Sequence, residues 1–414
     1  MNFSEENKPT LPLEYPSGFS KSIFDNVLYA AYLLGASDIS IQTGDYIVFS
    51  ISGRQVRASN RMLQMDEMGM ITNTIYGGAN GESLITQGSP IDKRYEIIPF
   101  RGERIGFRVH ILPARINGND RSISVTLRVL PKNPPTIFSQ NVPHEIVLNS
   151  LPKNGLMVVA GVTSSGKSTL TAGLLRYAYE LNEDNAVTES KRKIGTYEAP
   201  IEYVYDGIDS VAPKISQTEV GGIDGGIDTW GMAVKTAMRR ALSIVQIGEC
   251  RDGETINGCI EMALTGHLTL TTVHANKVGV AFRRMVAMAS ELGGGNDAVT
   301  ERLLGSLSQV IVQTLAPKIG GGRVALREWL PFTQQLQEKL FSVQYSLIGS
   351  EIQKIVNSRK TSLGHSALYS YKKGLITLNT ACTYSGLTKQ ELLSLDLDES
   401  VFECFDESKL DREQ

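Results

Sequence analysis

Gly161-Val-Thr163-Ser164-Ser165-Gly166-Lys167-Ser168-Thr169 has the spacing G-x-x-x-x-G-K-S, and its residue types are those that hold a polyphosphate without covalent bonds. Glycines let the chain wrap closely round a β-phosphate, so that backbone N–H groups point at the oxygens. A helix starting there adds partial positive charge. Lys167 would reach the β and γ oxygens, and Ser168 would place its hydroxyl on Mg²⁺. A plain Gly- and Ser-rich turn needs no lysine at that place. Gly161, Thr163, Ser164, Ser165, Gly166, Lys167, Ser168 and Thr169 are therefore the expected contacts of a nucleoside triphosphate with its Mg²⁺. The elements that must position them can be read from the flanks. The apolar run from Leu156 to Ala160 predicts a strand, and Leu170, Leu174, Ala178 and Leu181 repeat at helical spacing after the loop.

Three further segments carry groups suited to phosphate chemistry. Glu198 and Glu202 stand four residues apart around Pro200, which predicts a rigid turn after a short strand beginning at Ile194. An apolar run from Ser243 ends in Gly248-Glu249-Cys250-Arg251-Asp252, as expected of a carboxylate at the C-terminal end of a parallel strand, where ligands bind. Leu264-Thr265-Gly266-His267 leads through another strand pattern to Thr272-Val273-His274, so two of only five histidines bracket that strand. Any one of these side chains is ordinarily surface or structural. Their order after a phosphate-binding loop is more telling.

That order resembles the secretion ATPases of the PilT and GspE superfamily over roughly residues 20 to 330. The wordings T-Y-E-A-P-I-E-Y-V-Y-D and I-G-E-C-R-D-G-E-T-I are most like its Dot/Icm type IVB secretion and IncI conjugation branch. The resemblance implies an α/β fold in which a PAS-like α+β domain precedes a RecA-like P-loop NTPase domain, with a helical C-terminal tailpiece after it. It implies an ATP-hydrolysing homohexameric motor that uses Mg²⁺ and works with inner-membrane secretion-complex proteins. A type IV pilus assembly or retraction ATPase, a nucleic-acid translocase and a non-hydrolysing nucleotide-bound scaffold remain the alternatives.

The resemblance also implies roles. Glu202 would orient or deprotonate the attacking water, Glu249 would stand near Mg²⁺ and that water, and His274 would touch the γ-phosphate region. Glu198 would join Ser168 and Glu249 around the metal, and His267 would be a strut. Arginines of the N-terminal domain would reach the nucleotide, with Arg108, Arg121 and Arg128 the candidates. For any single one of these, a solvated strand face is the commoner role. Arg251 and Asp252 look like a structural or intersubunit pair. The chain departs from the family pattern in three places. Ser164 replaces a glycine that tolerates positive φ, which predicts weaker or slower nucleotide binding. Arg239-Arg240-Ala241-Leu242-Ser243 lacks the proline and aspartate usual before the strand that ends in Glu249, and Ala199 replaces an aspartate of the acidic box.

The predicted domain plan is a loose segment 1–20, a mixed domain 21–130, a stiff linker 131–143, the ATPase domain 144–331, a helical region 332–394 and an acidic tail 395–414. In the mixed domain, residues 23–34 have helical spacing and stop at Gly35. Two later runs, Ile105 to Ile111 and Ile123 to Val129, alternate as half-buried strands. Four prolines in the thirteen residues 131–143 make the linker. Eight acidic and two basic residues in 395–414 predict a solvated tail.

At 414 residues the chain has room for two or three domains. No apolar run approaches the ~18 residues of a membrane span, and no signal peptide is evident. The four cysteines show no metal-ligand spacing. The expected location is cytoplasmic, held peripherally at the inner membrane through the secretion machine. A net charge of −3 and the lack of a basic run predict no stable direct nucleic-acid binding. The Gly-rich stretch 220–228 has no lysine and reads as a surface or intersubunit segment.

Overall fold

The computed structural model describes residues 8–15, 18–116, 118–184, 192–208, 213–221, 226–293 and 295–406. Lys191, residues 222–225 of the Gly-rich stretch, residues 1–7 of the N-terminal segment and 407–414 of the acidic tail lie outside these. The chain divides into two compact units. The first is Met1–Asn133 with Ala199–Val204 and Glu219–Gly226, and the second is Pro134–Glu198, Tyr205–Thr218 and Ile227–Gln414.

The first unit is a six-stranded antiparallel sheet covered by helices. Its strands are β1 (Ala36–Gln42), β2 (Val48–Ile51), β3 (Arg54–Arg57), β4 (Ile91–Ile97), β5 (Ile105–Ile116) and β6 (Asn119–Val129), in the spatial order β3-β2-β1-β6-β5-β4. Its helices are α1 (Lys21–Leu33), α2 (Met65–Tyr76) and α3 (Gly81–Thr86). The strict alternation in β5 and β6 has the expected cause: Ile105, Phe107, Val109, Ile111, Ile123, Val125 and Leu127 are buried against helix residues such as Phe24 and Leu28. Helix α1 begins at Ser20, whose hydroxyl accepts the Ile23 N–H, and Gly35 just beyond its end takes φ +69°. The segment before it is less loose than its prolines suggest. Leu13, Tyr15 and Phe19 are buried, and the Leu13 N–H donates to Ala58, because these apolar side chains find room in the same core.

The second unit contains α4 (His144–Leu148), β7 (Gly155–Ala160), α5 (Lys167–Asp184), β8 (Ile194–Glu198), β9 (Ser216–Glu219), α6 (Trp230–Ala237) and β10 (Ile244–Ile247). It continues with α7 (Gly253–Leu264), β11 (Leu268–Val273), α8 (Val278–Ser290), α9 (Asn296–Ser306), β12 (Leu307–Pro317) and β13 (Arg323–Pro331). The seven strands form one sheet in the order β13-β12-β7-β11-β10-β8-β9. From β12 to β8 neighbours run parallel, and β13 returns antiparallel along β12. Strands β7, β10 and β11 are buried along their whole length, as strands covered on both faces must be. Leu170, Leu174 and Ala178 of α5 pack into this core.

Helices α10 (Gln334–Phe341), α11 (Tyr345–Ser358), α12 (Leu363–Lys372), α13 (Leu378–Ser385) and α14 (Lys389–Leu393) complete the unit. The stretch 395–406, expected to be solvated, instead folds back. Phe402 stacks on Tyr369 and meets Trp329 edge-on, while Phe405 stacks on His144. Two buried aromatic rings outweigh the solvation of the carboxylates around them.

Candidate functional site

In the second unit the sheet does the positioning. Strands β7, β11 and β10 are adjacent and parallel, with Ala160 opposite Val273 and Ile247 opposite Thr271. Their C-terminal ends therefore gather three segments at one edge: the phosphate-type loop after β7, His274 after β11 and Gly248-Glu249 after β10. Cross-links hold the ends in register: the Gly161 N–H donates to Val273, the Cys250 N–H to Thr272, and the Thr272 hydroxyl to the Gly248 carbonyl at 2.7 Å.

The loop has the shape its sequence predicts, reached with one unusual residue. Ser164 takes φ +62° and Gly166 φ +82°. A serine in the left-handed region costs about 1 kcal/mol more than a glycine would. The replacement of glycine by Ser164 therefore leaves the conformation in place under mild strain. A side chain at Gly161 would run into the Ser165 hydroxyl and the Gln313 backbone, so that position is closed to larger residues. The Lys167 ammonium donates to the Gly161 and Val162 carbonyls, both at 2.9 Å, and so lies across the mouth of the loop. Ser165 Oγ is buried with no hydrogen-bond partner among the described residues. Left-handed turns that bunch N–H groups, a lysine over them and a helix of 18 residues starting at Lys167 fit a bound triphosphate. The Ser168 hydroxyl and the Glu249 carboxylate are hard oxygen donors of the kind Mg²⁺ takes.

Glu249 is the most heavily engaged carboxylate of this edge. One oxygen accepts from Arg251 at 2.7 Å, and the other lies 3.0 Å from His274 Nε2. Burial pushes its carboxyl up, but the Arg251 hydrogen bond and charge, with the charges of His274 and Lys167, outweigh that and hold it below the usual carboxylate range. It is thus held ionised. Arg251, read from sequence as one half of a pair with Asp252, serves Glu249 instead, while Asp252 caps α7 by accepting the Thr255 N–H at 2.8 Å. The His267 ring contacts the Met262 carbonyl at 3.1 Å, a structural contact. Glu198, at the end of β8, accepts from Thr196 at 2.6 Å and from Gln217 at 3.2 Å.

Glu202 belongs to the other unit, since the division passes between Glu198 and Ala199. There it accepts from Arg108 at 3.0 Å. Arg108 stands in a row that the antiparallel register creates across four strands: Arg94, Arg108, Arg128 and Asp38 are successive cross-strand partners. Three like charges in line repel one another unless they are compensated. Arg128 pairs with Asp38 at 2.8 Å and Arg108 with Glu202, while Arg94 donates to the Ile201 carbonyl at 3.1 Å and lies 3.5 Å from Glu96. The row thus brings Arg108 and Arg128 together and adds Arg94, which sequence reasoning missed. Strand alternation around Lys93-Arg94 gives no clean signal, because only pairing with Arg108 puts Arg94 in line. Arg121 is elsewhere, near the β5–β6 hairpin and roughly 23 Å along the strand from Arg128 at ~3.3 Å per residue.

Comparison with known proteins shows the family to which the chain belongs. The family model described as Type II/IV secretion system protein matches residues 17–370. The X-ray structure of the Legionella pneumophila ATPase DotB superposes with a TM-score of 0.74 at 35% identity, covering 89% of this chain and 96% of that one. The type IV pilus retraction ATPase PilT of Pseudomonas aeruginosa is 32% identical over 268 residues, which is 63% of this chain and 71% of that protein. The uncharacterized protein YggR of Escherichia coli K12 is 35% identical over 208 residues, covering 50% of this chain and 59% of YggR. The chain belongs to the Type II/IV secretion system protein family and is a secretion ATPase of the PilT and GspE type. Within it, the chain is similar to DotB over nearly the whole of that protein. Among the described residues, no helix is long and apolar enough to cross a membrane.

Proposed function

We propose that the chain is an ATP-hydrolysing hexameric motor of a type IVB secretion or conjugative transfer system, acting at the cytoplasmic face of an inner membrane through the proteins of that machine. The observation that carries the enzymatic part is Glu249, held ionised by Arg251 and His274 at the strand edge that also bears the phosphate-type loop. On this reading Lys167 and the loop N–H groups hold the β- and γ-phosphates. Ser168, Glu249 and Glu198 would hold Mg²⁺, which when bound neutralises charge on the phosphate oxygens. Glu249 or Glu202 takes the proton of the attacking water, His274 steadies Glu249, and Arg108 acts by holding Glu202.

Similarity to DotB along 96% of its length supports the type IVB assignment. Similarity to PilT of comparable identity supports a second reading, a pilus ATPase. Phosphate release from ATP, measured with and without added DNA, tests the enzymatic proposal. Turnover without DNA stimulation is expected; steep, salt-sensitive stimulation by DNA would favour a translocase, and tight binding without phosphate release a scaffold. Sedimentation over a range of concentrations should show a sixfold species, with activity per chain rising as it forms. Capture of membrane partners separates the two machines: secretion-complex proteins support the first reading and pilus proteins the second.

A further inference from the structure

The second unit holds a buried cation that none of the roles above uses. Arg327 on β13 is 4% exposed, and its guanidinium donates to three neutral oxygens: Gln313 Oε1 at 2.8 Å, the Asn141 carbonyl at 2.9 Å and the Gln140 carbonyl at 3.0 Å. Burial brings its pKa down to about 10, still well above neutrality, so it stays charged. Burying an arginine against neutral acceptors is costly unless every bond is made. Its partners are informative. Gln140 and Asn141 belong to the proline-rich strap, and Gln313 is the cross-strand neighbour of Arg327 on β12.

Gln313 faces the other way as well. Its Nε2 donates to the carbonyls of Ser165 and Gly166, both at 2.9 Å. A trans peptide is planar, so fixing a carbonyl fixes the N–H on the opposite side of the same bond. Holding the Ser165 and Gly166 carbonyls therefore aims the N–H groups of Gly166 and Lys167 away from Gln313. Those are N–H groups at the start of α5 that a phosphate-binding loop uses. The strap is tethered a second time, since Arg176 on α5 donates to the Pro134 carbonyl at 2.7 Å.

We infer that Gln313 and Arg327 are positioning residues that set the phosphate-binding N–H groups and join them, through one continuous hydrogen-bonded chain, to the strap at Gln140-Asn141. The inference rests on the nucleotide reading of the loop. A nucleoside diphosphate drawing on the N–H groups of Gly166 and Lys167 polarises the same two peptides, which tightens their bonds to Gln313. Gln313 in turn is a better acceptor for Arg327, and the strap carbonyls are held more firmly. The two side chains are matched: neither a lysine, which lacks the planar fork, nor a glutamate, which lacks donors, reproduces the pattern.

The test is amide hydrogen exchange of residues 137–143 in the full chain, with and without saturating ADP, beside an ADP titration. Binding of ADP to the wild-type protein should slow exchange at Asn141 and Val142, whose N–H groups bond to Phe138 and Ile137. Arg327→Lys should still bind ADP but lose that slowing. Gln313→Glu keeps an acceptor for Arg327 while removing the donor to the loop, so it should weaken ADP binding about tenfold or more and also abolish the slowing. If wild-type ADP binding leaves strap exchange unchanged, or if either variant that binds ADP retains the wild-type slowing, the relay is wrong. That wild-type result needs no variant to fold. If the wild-type protein fails to bind ADP, the nucleotide reading falls and the relay with it.

Discussion

The strand edge of the second unit and the arginine row of the first are both clusters of charge, built in opposite ways. At the strand edge each group comes directly after a buried parallel strand, and the loop after β7, His274 and Glu249 converge because parallel strands end together. In the arginine row the groups come from within antiparallel strands, and they meet only because the register sets Arg94, Arg108 and Arg128 side by side. The first arrangement concentrates unlike groups round a place for a ligand. The second lines up like charges, each compensated by a carboxylate or a carbonyl, and Glu202 is the carboxylate that compensates Arg108. A cluster at strand ends can thus be judged from motifs, whereas a cluster across strands has to be judged by what neutralises it.

The largest expected effect lies at the strand edge. Lys167→Ala should lower phosphate release by about 10³-fold with the circular dichroism spectrum unchanged, because the ammonium acts on phosphate charge and not in the core. Turnover like that of the wild type would remove the loop from the site.

Next come the two carboxylates, one from each cluster. Glu249→Gln and Glu202→Gln keep volume and remove charge, so each that handles the water proton should lower kcat by about 10²-fold or more with nucleotide affinity nearly unchanged. If only Glu249→Gln shows the rate defect, the chemistry belongs to the strand edge alone. Equal loss of binding and rate would make either residue structural.

A smaller effect separates the arginines. Arg108→Ala frees Glu202 and should cut turnover roughly tenfold or more, whereas Arg121→Ala, far along β6, should leave it unchanged. Identical behaviour of the two variants would reduce the row to a solvated face.

The smallest effect is on pH dependence. Glu249 has its folded-state pKa depressed, so it contributes stability that is present above the unfolded value of about 4.5 and lost as pH falls through the folded one. Arg251→Ala removes two of the effects that oppose burial, and the carboxyl then titrates higher. The variant should be less stable than wild type near neutral pH, and the gap should close as the carboxylate protonates below about pH 4. Denaturant melts at several pH values read this directly, and a pH-independent gap would assign the loss to packing.

Much of this site was legible before any fold was known. The phosphate-type loop is a local motif whose conformation depends on its own glycines, and it tolerates even Ser164 at φ +62°. Glu249 was legible because it ends an apolar run, and His274 because it follows a strand pattern that two histidines bracket. Arg94, Gln313 and Arg327 were not, since each sits inside a strand pattern where a polar residue reads as a solvated face. Gln313 and Arg327 are in fact buried. Phe402 and Phe405 were hidden by the acidic composition round them, which says nothing of where two rings dock.

By itself the sequence determined the loop, the strands that carry the charged groups and the family, because those depend on local spacing and on hydrophobic period. Tertiary structure alone decided which residues share a charge. Strand order set Glu249 beside His274, antiparallel register set the arginines in a row, and the packing of β13 against the strap buried Arg327. The physical reason is that ion pairs and buried hydrogen bonds depend on separations of a few ångströms between residues far apart in the chain, and local periodicity carries no information about those separations.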